Sequence, residues 1–247
     1  MKKFVFILAA GSMALAACNE LSKVAGDLGK QVGTLPGQPL TSTEIVNGLK
    51  AALQQGTNKS TGSASQVNGF LNNPLIRIPF PPSVQKVKDA VMKVPGGPGM
   101  ITNFEETMNH AAEEASKEAA PIFINAITSM TITDGLNILR GTDTSATNYL
   151  RTKTTTDLTT KFRPVVNRAT QKVELTKYWT PVVNAYNKIP FMQPVNPDLD
   201  GYITGQAIGG LFKLIGNEEK NIRTNPAARA SEILKKVFGS PENPHNK

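Results

Sequence analysis

Cys18 is the single cysteine of this chain, and its surroundings point to one specific chemistry. It ends the run Leu-Ala-Ala-Cys at residues 15–18, behind a basic start at Lys2 and Lys3 and an apolar stretch over residues 4–10. A small-residue site closed by cysteine is typical of a lipoprotein signal, in which the chain is cut before the cysteine and its thiol and new amine are acylated. We therefore expect Cys18 to be lipidated and to join the chain to a membrane.

The apolar segment before Cys18 is too short to be a retained transmembrane anchor. Gly11 and Ser12 interrupt it, and a membrane-spanning helix needs ~20 apolar residues. We expect residues 1–17 to be a signal peptide. Because acylation uses the single cysteine, it leaves none for a disulfide, a thiolate metal site or a cysteine nucleophile.

A second group of residues could carry catalytic chemistry. Several polar side chains lie beside apolar helical stripes in the middle of the chain: Asn109, Glu113, Asp134, Arg140, Thr147 and Arg151. If they meet in one pocket, Glu113 or Asp134 would serve as the carboxylate general base of a hydrolase or lyase. Glu219 and Arg223, four residues apart, are further polar residues that lie beside an apolar helical stripe. The alternative is a set of surface pairs and helix caps.

Residues 196–204 imitate the first half of a calcium-binding loop. Its oxygens would come from Asn196, Asp198 and Asp200, but the twelfth position holds Ala207 in place of the bidentate glutamate. The alternative is a turn in which Asp198 or Asp200 caps a helix that begins near Tyr202. The one histidine outside the tail, His110, is too few for zinc, so we predict no metal and no cofactor.

The charge is concentrated in one segment. Removal of residues 1–17 lowers the count of Lys and Arg from 27 to 25 against 19 acids, which leaves a net charge of +6. Residues 151–188 alone carry that excess, with Asp157 and Glu174 opposing eight cations: Arg151, Lys153, Lys161, Arg163, Arg168, Lys172, Lys177 and Lys188. This basic segment could face an envelope protein or an anionic surface, or it could be a solvated helix face. No motif for nucleic acid is present.

Helical periodicity dominates the rest of the chain, so we predict an all-α fold. Thr41 and Glu44 have capping-box spacing, and Gly56 is expected to end that helix. Proline-rich residues 74–82 predict an extended crossing of a single multi-helix bundle. Helices are also predicted over residues 145–151, 156–173 and 208–223, among others. The spacing of Gly205 and Gly209 indicates close helix packing.

These elements suggest four regions. They are a signal peptide (1–17), a flexible tether (18–40) rich in glycine and proline, a helical domain (41–239) and a polar tail (240–247).

The order of several short motifs resembles a known family. They are Asn-His-Ala-Ala-Glu at 109–113, Ile-Leu-Arg-Gly at 138–141, Ala-Thr-Asn-Tyr at 146–149 and Leu-Lys-Lys-Val-Phe-Gly at 234–239. The chain is similar in these motifs to the family catalogued as domain of unknown function 4197. That resemblance implies a small exported, often lipidated bacterial protein with a single domain, and it carries over no catalytic residue.

The sequence therefore favours a lipid-anchored protein of the cell envelope, at the outer membrane facing the periplasm, since Asn19 is not the aspartate associated with inner-membrane retention. Its preferred role is a non-catalytic binding or scaffold module. The alternatives to this role are a hydrolase or lyase that uses Glu113 or Asp134 as its general base, and a protein that binds calcium through residues 196–204.

Overall fold

The computed structural model describes residues 40–172, 174–188, 190–191, 194–241 and 243–244. In these residues all regular structure is helical and there is no strand, which confirms the all-α prediction. The helices are α1 (Ser42–Ala64), α2 (Gln85–Val91), α3 (Gly97–Ser116), α4 (Ala119–Thr128), α5 (Ile132–Arg140), α6 (Ser145–Thr170), α7 (Glu174–Tyr186), α8 (Leu199–Thr224) and α9 (Glu232–Phe238). Cys18, the predicted signal peptide (1–17) and nearly all of the predicted tether (18–40) lie outside the described residues.

Helix α1 begins where the sequence predicts and ends later. Thr41 and Glu44 form the expected capping box, but Gly56 lies inside the helix, which continues to Ala64. Threonine hydroxyls in this second half bond to the helix's own carbonyls, because Thr57 donates to Leu53 O at 2.7 Å. A hydroxyl that bonds to a carbonyl of its own helix does not compete with the helix for backbone N–H groups. The helix can therefore continue past Gly56.

Helix α6 is one continuous helix from Ser145 to Thr170, and the prediction of two separate helices is wrong. A buried residue recurs every four positions through the threonine-rich stretch: Leu150, Thr154, Leu158, Phe162 and Val166. Exposed Thr152, Thr155 and Thr159 each donate to the carbonyl four residues earlier. The continuous buried stripe stabilises the helix where threonine propensity alone would not.

Helix α8 starts at Leu199, ahead of the apolar residues that begin at residue 208 and close to the start near Tyr202 that the capping alternative predicts. Asp198 caps it, as that alternative predicts, by accepting from Gly201 N at 2.9 Å. The expected close packing at Gly205 and Gly209 is wrong, because a Cβ at either would meet open space. The close approach occurs at Gly210 instead. A Cβ there would lie 2.9 Å from Phe70 Cε1.

The core lies where four long helices meet. Helices α6 and α8 pack against each other and both contact α3, while α1 packs against α4, α5, α8 and α9. Phe104, Phe123, Phe162 and Phe212, each on a different helix, are fully buried there. These side chains supply much of the apolar burial that stabilises the fold.

In the proline-rich crossing segment, residues 74–82, residues 77–79 have no regular secondary structure, residues 74–76 form a turn and a 3₁₀ helix begins at Pro82. The irregular stretch is therefore shorter than the extended segment that the sequence predicts. Ile76, Ile78 and Phe80 point into the core, while the residues between them are exposed. Helical side chains bind its backbone in place of a neighbouring strand. For example, Lys213 Nζ donates to Leu75 O at 2.9 Å.

No single helix among the described residues is long and apolar enough to cross a membrane. By length and composition, only α4 and α5 pass as a pair, and a 104° bend separates them.

Candidate functional site

Glu113, one of the two candidate general bases, is buried and holds a turn of the backbone. Its Oε1 accepts from Phe70 N at 3.1 Å and Leu71 N at 3.2 Å, and its Oε2 accepts from Asn68 N at 3.1 Å. His110 Nδ1 lies 2.7 Å from the same Oε2. Asn68 has a positive φ of 63°, a strained conformation that the carboxylate helps to hold. The contacts give Glu113 a structural role.

Asn109, one turn earlier on α3, binds the crossing segment as a strand would. Its Oδ1 accepts from Ile78 N at 2.8 Å and its Nδ2 donates to Ile78 O at 2.9 Å. The amide is completely buried, and it satisfies both backbone groups of a residue that has no strand partner. Asn109 and Glu113 therefore fix the chain on either side of residues 72–77.

Glu219 and Arg223 form a buried ion pair, with Glu219 Oε1 3.0 Å from Arg223 Nη2. Glu219 also accepts from Ala146 N at 2.9 Å and Thr147 N at 2.8 Å, in the first turn of α6. Those N–H groups have no partner within their own helix, and the positive end of the helix dipole favours a carboxylate there. Glu219 is thus the cap of α6, supplied from 72 residues away.

Arg223 satisfies backbone carbonyl groups at the end of α5. Its Nη2 donates to Ile138 O at 2.7 Å and its Nη1 donates to Leu139 O at 3.0 Å. Arg229 in turn donates to Arg223 O at 2.9 Å and to Ile222 O at 3.1 Å, at the end of α8. This buried cluster, Glu219, Arg223 and Arg229, joins the ends of three helices. An internal cavity of about 20 Å³ adjoins it.

The remaining candidates lie at the surface. Asp134 accepts from the Thr131 hydroxyl at 2.7 Å and the Thr131 N–H at 3.1 Å in the capping box of α5, and these bonds lower the pKa of its carboxyl. A carboxylate that serves as a general base near neutral pH needs a raised pKa instead. Arg151 is exposed with its guanidinium 4.4 Å from the Phe212 ring centroid, and Arg140 is exposed at the end of α5.

The candidate residues therefore have separate structural roles. Asn109 and Glu113 hold the chain around the crossing segment, Thr147 bonds to Glu219, and Asp134 bonds to Thr131. Neither the small internal cavity nor the larger cleft described below is lined by any of the six residues predicted to share a pocket. The alternative of surface pairs and helix caps describes Asp134, but Asn109, Glu113 and Thr147 are buried and bond to groups inside the fold.

The loop that imitates a calcium site is also occupied by internal contacts. Asp198 caps α8 and accepts from Arg163 at 2.6 Å, while Asn196 Oδ1 accepts from Asp198 N at 3.0 Å. Burial raises the pKa of the Asp198 carboxyl, but the bonds from Gly201 and Arg163 outweigh it and the net pKa is lowered. Asp200 accepts from Asn167 at 2.6 Å and Thr170 at 2.8 Å. Throughout the described ranges, no three His, Cys, Asp or Glu side chains are placed to hold a metal ion.

These two aspartates belong to a different feature, a polar cleft of about 320 Å³ between the end of α6, α7 and the start of α8. We call it the polar cleft and define it by its lining residues: Asn167, Thr170, Gln171, Lys177, Trp179, Thr180, Pro197, Asp198, Leu199 and Asp200. Gln171, Lys177 and Thr180 are exposed at its rim, and Trp179, Leu199 and Thr170 are buried beneath it. This concave polar surface gathers side chains from three helices.

An aromatic cluster supports the cleft from below. The Trp179 ring stacks on Phe104 at 5.7 Å and meets Phe80 edge-on at 6.0 Å. Its Nε1 donates to Pro197 O at 2.9 Å, which ties α7 to the loop before α8. The wall of the cleft is therefore positioned by core packing and by one hydrogen bond.

Sequence reasoning found Asp198 and Asp200 but missed Gln171, Lys177, Trp179 and Thr180. The signal available was weak, because Trp179 is the only tryptophan of the chain and Lys177 is one cation among many.

The helical fold with a polar cleft on its surface describes a small all-α domain. The model of the family described as "Protein of unknown function (DUF4197)" matches residues 39–239. The match covers most of the chain, so the chain belongs to that family, as the sequence motifs suggest. Comparison with the curated proteins finds no match, and neither does comparison with the solved structures.

Proposed function

We propose that this protein is a lipid-anchored module of the cell envelope, at the outer membrane facing the periplasm, which binds a ligand in the polar cleft without catalysis. The observation that carries the proposal is how the polar side chains are divided. Buried Glu113, Glu219 and Arg223 satisfy backbone groups, whereas exposed Gln171, Lys177 and Thr180 converge on a concave surface. Sites for small ligands are usually concave, and a small number of polar groups that point toward the ligand fix its orientation.

The lipid anchor is proposed from the run at residues 15–18 and from the glycine- and proline-rich residues that follow it. A flexible tether of that length would leave the cleft free to meet a ligand at some distance from the membrane. The matching family is one of unknown function, so it adds no activity to this proposal.

The basic segment, residues 151–188, supports a further contact. All eight of its cations are exposed, although Arg163 is paired with Asp198 and Arg151 lies over Phe212. We propose that exposed cations of this segment contact an anionic surface, where each cation near the surface contributes ~1 kcal/mol to the attraction. Binding of the full chain to anionic vesicles should then weaken as salt rises.

The anchor is tested by Cys18→Ser, with Ser12→Ala as the matched control that leaves residues 15–18 intact. We expect the parent and Ser12→Ala to incorporate labelled palmitate and to enter the detergent phase, and Cys18→Ser to do neither. Unchanged processing, labelling and partitioning of Cys18→Ser would overturn the anchor.

The binding role is tested by placing a photo-crosslinking amino acid in living cells at Gln171 or Lys177, and at Lys220 as the control far along α8. We expect adducts from the two cleft positions and none from Lys220. Equal adducts at all three positions, or none at any, would contradict a binding role for the polar cleft.

A further inference from the structure

We infer that the polar cleft binds a short, uncharged saccharide whose hydroxyl groups contact Gln171, Lys177 and Thr180. The inference rests on the proposed function, since it names the ligand class for the same cleft.

The charges of the cleft favour a neutral ligand. Asp198 is paired with Arg163, which lies outside the lining, and the other charged lining residues, Lys177 and Asp200, have opposite signs. The described lining therefore does not favour a strongly charged molecule. Among the described residues Lys177 makes no ion pair. Its ammonium group carries three N–H donors, which suit ligand oxygens.

The two carboxylates are already engaged, which disfavours a ligand that carries an ammonium group. Asp198 accepts from Gly201 N and Arg163, and the two oxygens of Asp200 accept from Asn167 and Thr170. A ligand ammonium would have to compete with these partners for the same oxygens. Carboxylate oxygens retain further lone pairs, which suit the weaker demand of a hydroxyl donor.

The polar groups at the rim of the cleft can form hydrogen bonds with the hydroxyl groups of a ligand. The Gln171 amide both donates and accepts, as does the Thr180 hydroxyl, and all three rim side chains are exposed. A saccharide hydroxyl also donates and accepts, so each can pair with either kind of group. The observed Gln171–Asn167 bond of 2.7 Å holds the amide at the edge of the cleft.

The size of the cleft fits a short saccharide. Trp179 and Leu199 are buried beneath the polar groups, only 5% and 6% exposed, and Pro197 is partly exposed beside them. The accessible lining of the cleft is therefore mainly polar. The volume of about 320 Å³ lies at the lower end of the ~300–1,000 Å³ of ligand pockets, which limits the ligand to a short saccharide.

Trp179 provides the assay, because it is the only tryptophan and it lines the cleft. The full-length chain in detergent micelles is titrated with the disaccharide N,N′-diacetylchitobiose and, separately, with the zwitterionic dipeptide D-alanyl-D-alanine, while tryptophan fluorescence is followed. The variants are Gln171→Ala and Lys177→Met. Their matched controls are Gln206→Ala and Lys220→Met, exposed on α8 and outside the cleft.

We expect a saturable fluorescence change with the disaccharide, an affinity weakened ~10-fold or more in each cleft variant, and parental affinity in both controls. A response to the dipeptide alone, no saturable response to either probe, or equal weakening in the controls would overturn the inference. The proposed function is tested separately: cleft-specific adducts in cells together with a silent disaccharide titration would remove the saccharide and retain the binding module.

Discussion

The buried charged side chains of this protein act on the backbone rather than on a substrate. Glu219 and Arg223 are 7% and 1% exposed, which would be costly for charges that lacked partners. Together they satisfy the first N–H groups of α6 and the last carbonyls of α5. Removing either partner leaves the other charge buried without its counterion, and it also leaves the helix end that the removed residue bonds without a partner.

We predict that Glu219→Ala lowers the free energy of unfolding by ~3–5 kcal/mol, the usual cost of breaking a buried ion pair. The adjacent Glu218→Ala is the matched control. Glu218 pairs with Lys59, whose side chain is 62% exposed, and such pairs contribute ~0–1 kcal/mol. Urea unfolding of both variants measures the difference, and equal losses would contradict a capping role for Glu219.

The Asp134 cap should make a small, pH-dependent contribution. Bonds from Thr131 lower the pKa of Asp134 below its ordinary 3.8, so its stabilisation is complete above that value and is lost as pH falls through the lower pKa of the folded state. We predict that Asp134→Asn costs ~0.5–1 kcal/mol at neutral pH. The difference from the parent should shrink on acidification in urea unfolding. A difference that grows with acidification would contradict this assignment.

At the scale of the elements, helix starts were easier to predict than helix ends. The capping boxes at Thr41 and Thr131 are local patterns, and both are confirmed. The end of α1 was misplaced because Gly56 is a helix-ending residue only when the chain can turn there. Here α8 packs closely over it, with Glu218 Cβ 3.5 Å from where a Cβ would lie. Tertiary packing overrode the local preference.

Two neighbouring glycines on α8 allow a direct test of its packing. Gly209→Ala places a methyl group in open space and should raise the free energy of unfolding by up to ~1 kcal/mol through helix propensity. Gly210→Ala places it 2.9 Å from Phe70 Cε1 and 3.1 Å from Ile76 Cβ, and should cost ~1–3 kcal/mol through overpacking. Thermal unfolding of the two variants measures the difference in stability. If both substitutions stabilise the protein, Phe70 and Ile76 must move aside at little cost, which would contradict close packing at Gly210.

For the molecule as a whole, the sequence predicts the fold class, the family and the absence of a helix over residues 77–79, but not the polar cleft. Periodicity and prolines are properties of contiguous residues. The cleft instead depends on the end of α6 lying beside Trp179 and Pro197, which only the assembled helices determine. For the same reason, the buried roles of Glu113 and Glu219 could not be foreseen, since their partners lie 42–45 and 72–73 residues away.

Asn243, near the end of the chain, packs into the helical domain. Asn243, in the predicted polar tail and beyond the family match, is fully buried and its Nδ2 donates to Phe238 O at 2.7 Å. We predict that deleting residues 240–247 lowers the free energy of unfolding by ~1–3 kcal/mol. Deleting only residues 245–247 should leave it within ~0.5 kcal/mol of the parent. Equal stability of the two truncated chains in urea would show that Asn243 is dispensable.

The crossing segment has a further consequence for proteins crowded side by side. Extended apolar stretches with unpaired backbone groups can recruit a strand from a second molecule and start aggregation. In this segment Pro74, Pro79, Pro81 and Pro82 have no N–H to offer, and both backbone groups of Ile78 are taken by Asn109. A row of free donors is therefore not available along residues 74–82, and intermolecular β-pairing there is blocked by covalent structure as well as by packing.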